Sequence, residues 1–330
     1  MSRLHEHLIA SPHRLALPVL SFPGGQLAGR SVREMVTDPG AQVEVQQALH
    51  RKYGTTFLLS AMDLSAEAEE FGASILLTDD EIPSVTGRRV TDRAGIDRLR
   101  VPAVGGKRTA VYLETVRRLA AASPGVPVLG GMIGPFSLAG RLFGVSEALL
   151  ETAVEAETMH ALIDKATTFL LAYAAEFKKA GAWGVIVAEP TAGLMSPAAA
   201  AEFSSPYVRR IIESVTDDHF EIILHNCGAR LSHLKASLQS GARILHFGKP
   251  MDIVAALSEV SHDVVLCGNL DPSEVFVGST PAEVRSATGS LLAATASRRN
   301  FVISSGCDVP PNATLANIEA FFKAVEAHQR

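Results

Sequence analysis

The sequence predicts an α/β fold, a (β/α)8 (TIM) barrel. Three observations carry the prediction. Short apolar, β-branched runs alternate with longer segments of helical period along the chain. These runs are apolar on both faces, as parallel strands covered by helices must be. The chain is 330 residues long and 47% hydrophobic, enough to bury a large core without disulfides or metal staples. An open doubly wound sheet is the alternative that shares the alternation.

Eight strands are expected. The first two, Leu17 to Phe22 and Thr55 to Ser60, are weak, and Pro18 interrupts the first. The six clear ones are Pro127 to Ile133, Gly184 to Ala188, Glu221 to His225, Arg243 to Phe247, Val264 to Gly268 and Phe301 to Ser304. Helix starts punctuate them. Asp271-Pro272-Ser273-Glu274, Thr280-Pro281-Ala282-Glu283 and Ser196-Pro197 each set a capping side chain before proline at the first helical position. Tyr112, Val116, Leu119 and Ala120 repeat at helical spacing and form one buried stripe. The surplus over a minimal barrel, about 80 residues, falls in an N-terminal extension (1–16) and in a hairpin or lid at Ser74 to Val90, after the second strand. No repeat or linker divides residues 1–330, which are read as one domain.

Composition narrows the function. Thirty basic against 35 acidic residues leave a net charge of -5, and the basic residues form no block. Nucleic-acid binding by counterion release therefore has no footprint. Three cysteines exclude a disulfide framework and suit a reducing compartment. No export signal and no run of roughly 18 apolar residues is present, so the expectation is a cytoplasmic protein without a membrane partner. The motifs of dinucleotide and P-loop sites, CxxC and HExxH are all absent.

In a parallel barrel, chemistry sits where strands end on the C-terminal face. His225 and Cys227 are two apart, so on a strand they share a face. Cys307 ends the last strand at the same level. One imidazole and two thiols can make three corners of a zinc tetrahedron and leave the fourth open, as a catalytic zinc requires. Two thiolates and a neutral imidazole would cancel the metal's +2. Such a site is a poor Lewis acid, yet it deprotonates an incoming thiol, whose free pKa is about 8.5, and leaves an electron-rich sulfur suited to alkyl transfer. A His-x-Cys in a core strand also fits plain packing; a second Cys at a separate strand end raises the metal reading. Cys267, within a strand, reads as core.

Other strand ends supply further candidates. Glu189 suits a labile fourth ligand or a group handling the thiol proton, and equally a cap on the next helix. Asp63 is a catalytic candidate or an N-cap. Asn269 either shapes its turn or faces the pocket. Gly134 and Phe136, in Gly134-Pro135-Phe136, permit a close approach that suits a large ligand or a tight loop.

These strand ends resemble the uroporphyrinogen decarboxylase superfamily, and within it the zinc-containing, corrinoid-dependent methyltransferase branch. The resemblance runs through Met62-Asp63-Leu64-Ser65, Asp80-Glu81-Ile82-Pro83, Gly134-Pro135-Phe136-Ser137 and Glu189-Pro190-Thr191. Its most specific parts are His225-Asn226-Cys227-Gly228, Gly268-Asn269-Leu270-Asp271-Pro272 and Ser304-Ser305-Gly306-Cys307-Asp308. It implies a uroporphyrinogen decarboxylase-like barrel with Zn2+ on His225, Cys227 and Cys307. It further implies attack by a zinc-bound thiolate on the methyl group of a methylcorrinoid (methylcobalamin) presented by a carrier protein. The acceptor is a thiol such as coenzyme M, with tetrahydrofolate as an alternative. The decarboxylase branch would need an arginine-rich early loop and an aspartate after strand two. Arg30 and Asp63 remain, but Gly25 stands where another arginine is expected, and that branch has no use for the His/Cys/Cys set. A non-catalytic corrinoid-binding component is the third reading.

Overall fold

The computed structural model describes residues 1–328. Seven parallel strands form the main sheet: β1 (Leu58–Leu59), β4 (Val128–Ile133), β5 (Gly184–Ala188), β6 (Glu221–Asn226), β7 (Ile244–Phe247), β8 (Val265–Leu270) and β9 (Phe301–Ser305). β2 (Ser74–Leu76) and β3 (Ser84–Thr86) pair separately as an antiparallel hairpin, within the insertion predicted from the sequence. In the main sheet each strand lies beside the one before it. A doubly wound sheet reverses its order; here there is no reversal, and the strands curl as a barrel does.

Side chains alternate between two apolar environments, which is why the strand sequences lack a polar face. Ile186 and Ala188 of β5 join the interior cluster with Leu59, Leu129, Ile223, Ile244, Val265 and Val302. Val185 and Val187 join the outer layer under the helices. The N-terminal extension has its own task. Its helix, Arg3–Ala10, sends Leu4 and Leu8 into the interior cluster. Ser2 Oγ donates to Glu221 at the start of β6 (2.9 Å), and His5 Nε2 lies 2.6 Å from the Asp263 carbonyl. The helix therefore plugs the barrel floor and leaves the mouth at the opposite end of the strands.

Two strand expectations need correction. Thr55 to Ser60 shrinks to Leu58–Leu59. Leu17 to Phe22 is no strand at all: the stave touches β9 through two isolated parallel bridges, Ala16 to Ile303 and Val19 to Asp308. Pro18 has no N–H to give a ladder. On the other side, side chains replace that ladder. Gln46 Nε2 donates to the Leu20 carbonyl (2.9 Å) while its Oε1 accepts from Leu59 N (3.0 Å), and Ser21 Oγ accepts from Met62 N (3.0 Å). Among the described residues no helix is long and apolar enough to cross a membrane.

Candidate metal centre

Strand register assembles the site. His225 in β6 lies level with Ala188 of β5 and His246 of β7, and His246 is level with Cys267 of β8. His225 is buried near the end of its strand, and Cys227 follows in the turn. That turn fits against β7 because Gly248 has no side chain: a Cβ there would collide with the Cys227 carbonyl. Cys307 arrives from the end of β9. The ligand atoms of His225, Cys227 and Cys307 all lie within 4.8 Å of one another. Small side-chain rotations close that spread around an ion whose nitrogen and sulfur ligands sit about 2.0–2.3 Å away.

The two thiols behave as a pair. A hydrogen bond from the Cys307 thiol, aided by His225, pulls Cys227 down to about 4 against the desolvation of burial. The same bond, with burial and the charge of Cys227 added, drives Cys307 far up. The pair therefore favours a thiolate on Cys227 with the proton kept on Cys307. Cys267 lies in the interior, where burial pushes its thiol up; it is a core residue, as its sequence suggested.

His246 was not among the candidates. Its Nδ1 lies 2.7 Å from His225 Nδ1, and its Nε2 lies 2.7 Å from Ser304 Oγ. Burial, reinforced by His225, holds its pKa well below the usual imidazole value, so the ring is neutral. The available signal was a histidine inside the apolar run Arg243 to Phe247.

The remaining candidates are placed elsewhere. Glu189 is buried, and both its oxygens are engaged at the start of the helix Pro135–Phe143. Oε1 accepts from Phe136 N (2.9 Å), and Oε2 accepts from Ser137 N (2.9 Å) and Ser137 Oγ (2.7 Å). It caps a helix earlier in the chain rather than the next one. Gly134 and Phe136 serve the same contact: a Cβ on Gly134 would strike Glu189, and the Phe136 ring is wholly buried. Removing this carboxylate by Glu189→Ala strands buried N–H donors, so it is expected to lower stability by about 1–3 kcal/mol. Urea unfolding, with metal content measured alongside and expected unchanged, checks this.

Asp63 faces Arg108 rather than the cavity. Its Oδ2 accepts from Arg108 and from Tyr112 Oη (2.7 Å), and its Oδ1 accepts from Ser65 N (3.0 Å). Asn269 ties down the β7 loop, donating from Nδ2 to the carbonyls of Gly248 (3.1 Å) and Met251 (2.7 Å). It shapes the turn against which Cys227 packs.

His225, Cys227 and Cys307 line a cavity of about 60 Å³ with Val19, Met62, Leu64, Ala188, Pro190 and Asp308. A water needs roughly 10–15 Å³ of such space, so the cavity admits the reactive end of a small molecule and is too small for a macrocycle.

The uroporphyrinogen decarboxylase (URO-D) family profile matches residues 9–328. A methylcobamide:CoM methyltransferase, MtbA, of Methanosarcina mazei is 26% identical over 301 residues, 90% of this chain and 87% of that protein. A uroporphyrinogen decarboxylase of Pseudomonas paraeruginosa is 31% identical over 249 residues, 72% of this chain and 68% of that protein. Among solved structures, a methyltransferase from Methanosarcina mazei superposes with a TM-score of 0.89 at 23% identity, covering 98% of this chain and 97% of that one. That superposition bears out the barrel.

Proposed function

The chain belongs to the uroporphyrinogen decarboxylase family, and from that premise we propose that it is a zinc-dependent methyltransferase acting between a methylcorrinoid and a thiol. The observation that carries this reading is the convergence of His225, Cys227 and Cys307 on a small cavity at the barrel mouth. Those three side chains would hold the metal. Zinc bound there would supply a strong pull on the proton of an incoming thiol while leaving the sulfur electron-rich. The apolar wall of Val19, Met62, Leu64, Ala188 and Pro190 keeps water from the reacting sulfur.

A corrin ring is too large for a cavity of about 60 Å³, so the methyl group would be presented at its mouth, on a carrier protein as the family resemblance implies. In the transfer, the acceptor sulfur forms a bond to the methyl carbon. The cobalt–carbon bond breaks, and its electron pair stays with the corrinoid as Co(I). The methylcobamide:CoM relatives favour coenzyme M or a similarly small thiol over tetrahydrofolate as acceptor, and the cavity's size agrees.

Decarboxylation of a tetrapyrrole is the weaker reading. Its two features on this chain are engaged elsewhere: Asp63 with Arg108, and Arg30 at the surface with Glu34 (3.0 Å) and Glu44 (2.7 Å). The test is metal analysis of the purified protein, followed by incubation of methylcobalamin with coenzyme M and a panel of other acceptors. One zinc per chain and loss of the cobalt–carbon absorption with a thiol are the expected results. Turnover of uroporphyrinogen in metal-free buffer would replace this proposal with the decarboxylase.

A further inference from the structure

We infer that His246 and Ser304 are positioning residues that hold a hydrogen on His225 Nδ1, leaving Nε2 as the nitrogen that would meet a metal. The inference rests on the proposed function only for the identity of the metal that Nε2 would meet. The geometry is a chain of hydrogen bonds rooted in backbone carbonyls, which have no hydrogen to give. Ser304 Oγ contacts the Leu17 carbonyl closely and lies 3.0 Å from the Ser305 carbonyl. Its single hydrogen must point to one of them, because two lone-pair oxygens otherwise face each other. Ser304 is then an acceptor toward His246, so His246 Nε2, at 2.7 Å, carries the N–H.

His246 Nδ1 faces His225 Nδ1 at 2.7 Å, a gap that holds a single hydrogen. With His246 Nε2 already donating to Ser304, that hydrogen belongs to His225. The His246 carbonyl gives a second, independent indication. It lies 3.3 Å from the same His225 Nδ1 and can only accept. Both lines place a hydrogen of His225 on Nδ1 and leave Nε2 as the nitrogen turned toward the cavity that His225 lines with the two cysteines.

Burial makes the arrangement effective. His246 and Ser304 are fully buried and His225 nearly so, so water does not compete for these positions. Without the chain, a free imidazole divides its hydrogen between both nitrogens, and its ring rotates. Removing an outer partner of a ligating histidine typically weakens metal binding about 10–100-fold.

The test uses metal-free protein labelled with 15N-histidine. Long-range proton–nitrogen spectra, with His225 assigned from a His225→Gln variant, report which nitrogen carries the hydrogen. The expected result is Nδ1–H in the wild type. His246→Phe, which keeps a ring and removes the acceptor, should lower zinc affinity about 10–100-fold in chelator competition. His246→Asn returns an acceptor near the Nδ1 position and should recover most of that loss, which a packing role alone would not produce. If His246→Phe does not fold, Ser304→Ala serves instead: both rings remain, the root of the chain is gone, and the His225 signal should become a mixture of tautomers. A wild-type His225 with no hydrogen on Nδ1, or a folded His246→Phe with unchanged zinc affinity, overturns the inference. Nδ1–H in a protein that takes up no zinc sustains the inference and sinks the methyltransferase reading instead.

Discussion

Cys307→Ala is expected to bring the zinc content close to zero and abolish demethylation of methylcobalamin by a thiol, while the protein stays folded. Zinc bound at protein sites is worth about 10–16 kcal/mol at neutral pH. Shared among the donors, one ligand accounts for roughly 3 kcal/mol or more, a loss of about two orders of magnitude in affinity. The fold survives because Cys307 lies in the turn after β9 and is only partly buried, so truncation opens no sealed core cavity. Cys227 would also change. It stays near 4 chiefly through the Cys307 thiol, so without that partner its pKa moves back up and the site loses its preformed anion. An acceptor thiol with an ordinary pKa of about 8.5 would then be only a few per cent thiolate at pH 7. Metal analysis and the methylcobalamin spectrum read both effects. A variant with one zinc per chain would remove Cys307 from the ligand set.

Arg108→Met is expected to cost about 3–5 kcal/mol of stability, because it leaves the Asp63 carboxylate buried without its charge partner. Asp63 is wholly buried at its side chain, and Arg108 is 8% exposed. The guanidinium also donates to Glu69 Oε2 (2.6 Å) and Ser65 Oγ (2.9 Å), so one substitution strips several acceptors at once. Nearby anions also explain why burial fails to lower the Arg108 pKa, which stays above its ordinary value chiefly through Asp63. For a chain of 330 residues the loss corresponds to about 4–7 °C in Tm. The double variant Arg108→Met/Asp63→Asn should recover part of it, since the stranded charge is then gone. Thermal and urea unfolding decide the matter. A loss below about 1 kcal/mol would mean that Asp63 finds another partner, and that its structural assignment is wrong.

Legibility in the sequence followed the physics of each feature. Gly184–Ala188 is observed with the bounds read from the chain, and Pro127 to Ile133 loses only its proline, as Val128–Ile133. Strands apolar on both faces advertise themselves, because burial on both sides leaves no other composition. The first stave was misread because its apolar content reflects burial, whereas ladder formation depends on backbone N–H groups. Pro18 lacks one, and the side chains of Gln46, from outside the stave, and of Ser21, within it, take over. The helix caps were legible too: Thr280 and Glu283 form the reciprocal capping box expected of them.

The site divides along the same line. His225, Cys227 and Cys307 stood out because soft donors are scarce in this chain and all three fall at strand ends. Glu189 and Asp63 looked alike in sequence, each a carboxylate where a strand gives way to a loop. Their partners in the fold come from far away in the chain: Ser137 lies 52 positions from Glu189, and Arg108 lies 45 from Asp63. His246 was hidden for the opposite reason, since a lone histidine in a core strand gives no sign of what it faces.

Local chemistry was therefore written in the chain by itself: which runs become strands, where helices begin, and which side chains can hold a soft metal. Only the tertiary structure decided which polar groups meet. A hydrogen bond or ion pair is set by distances of about 3 Å between residues that the barrel brings together from far apart in sequence. Residue type states what a group is able to donate or accept; the folded barrel determines who receives it.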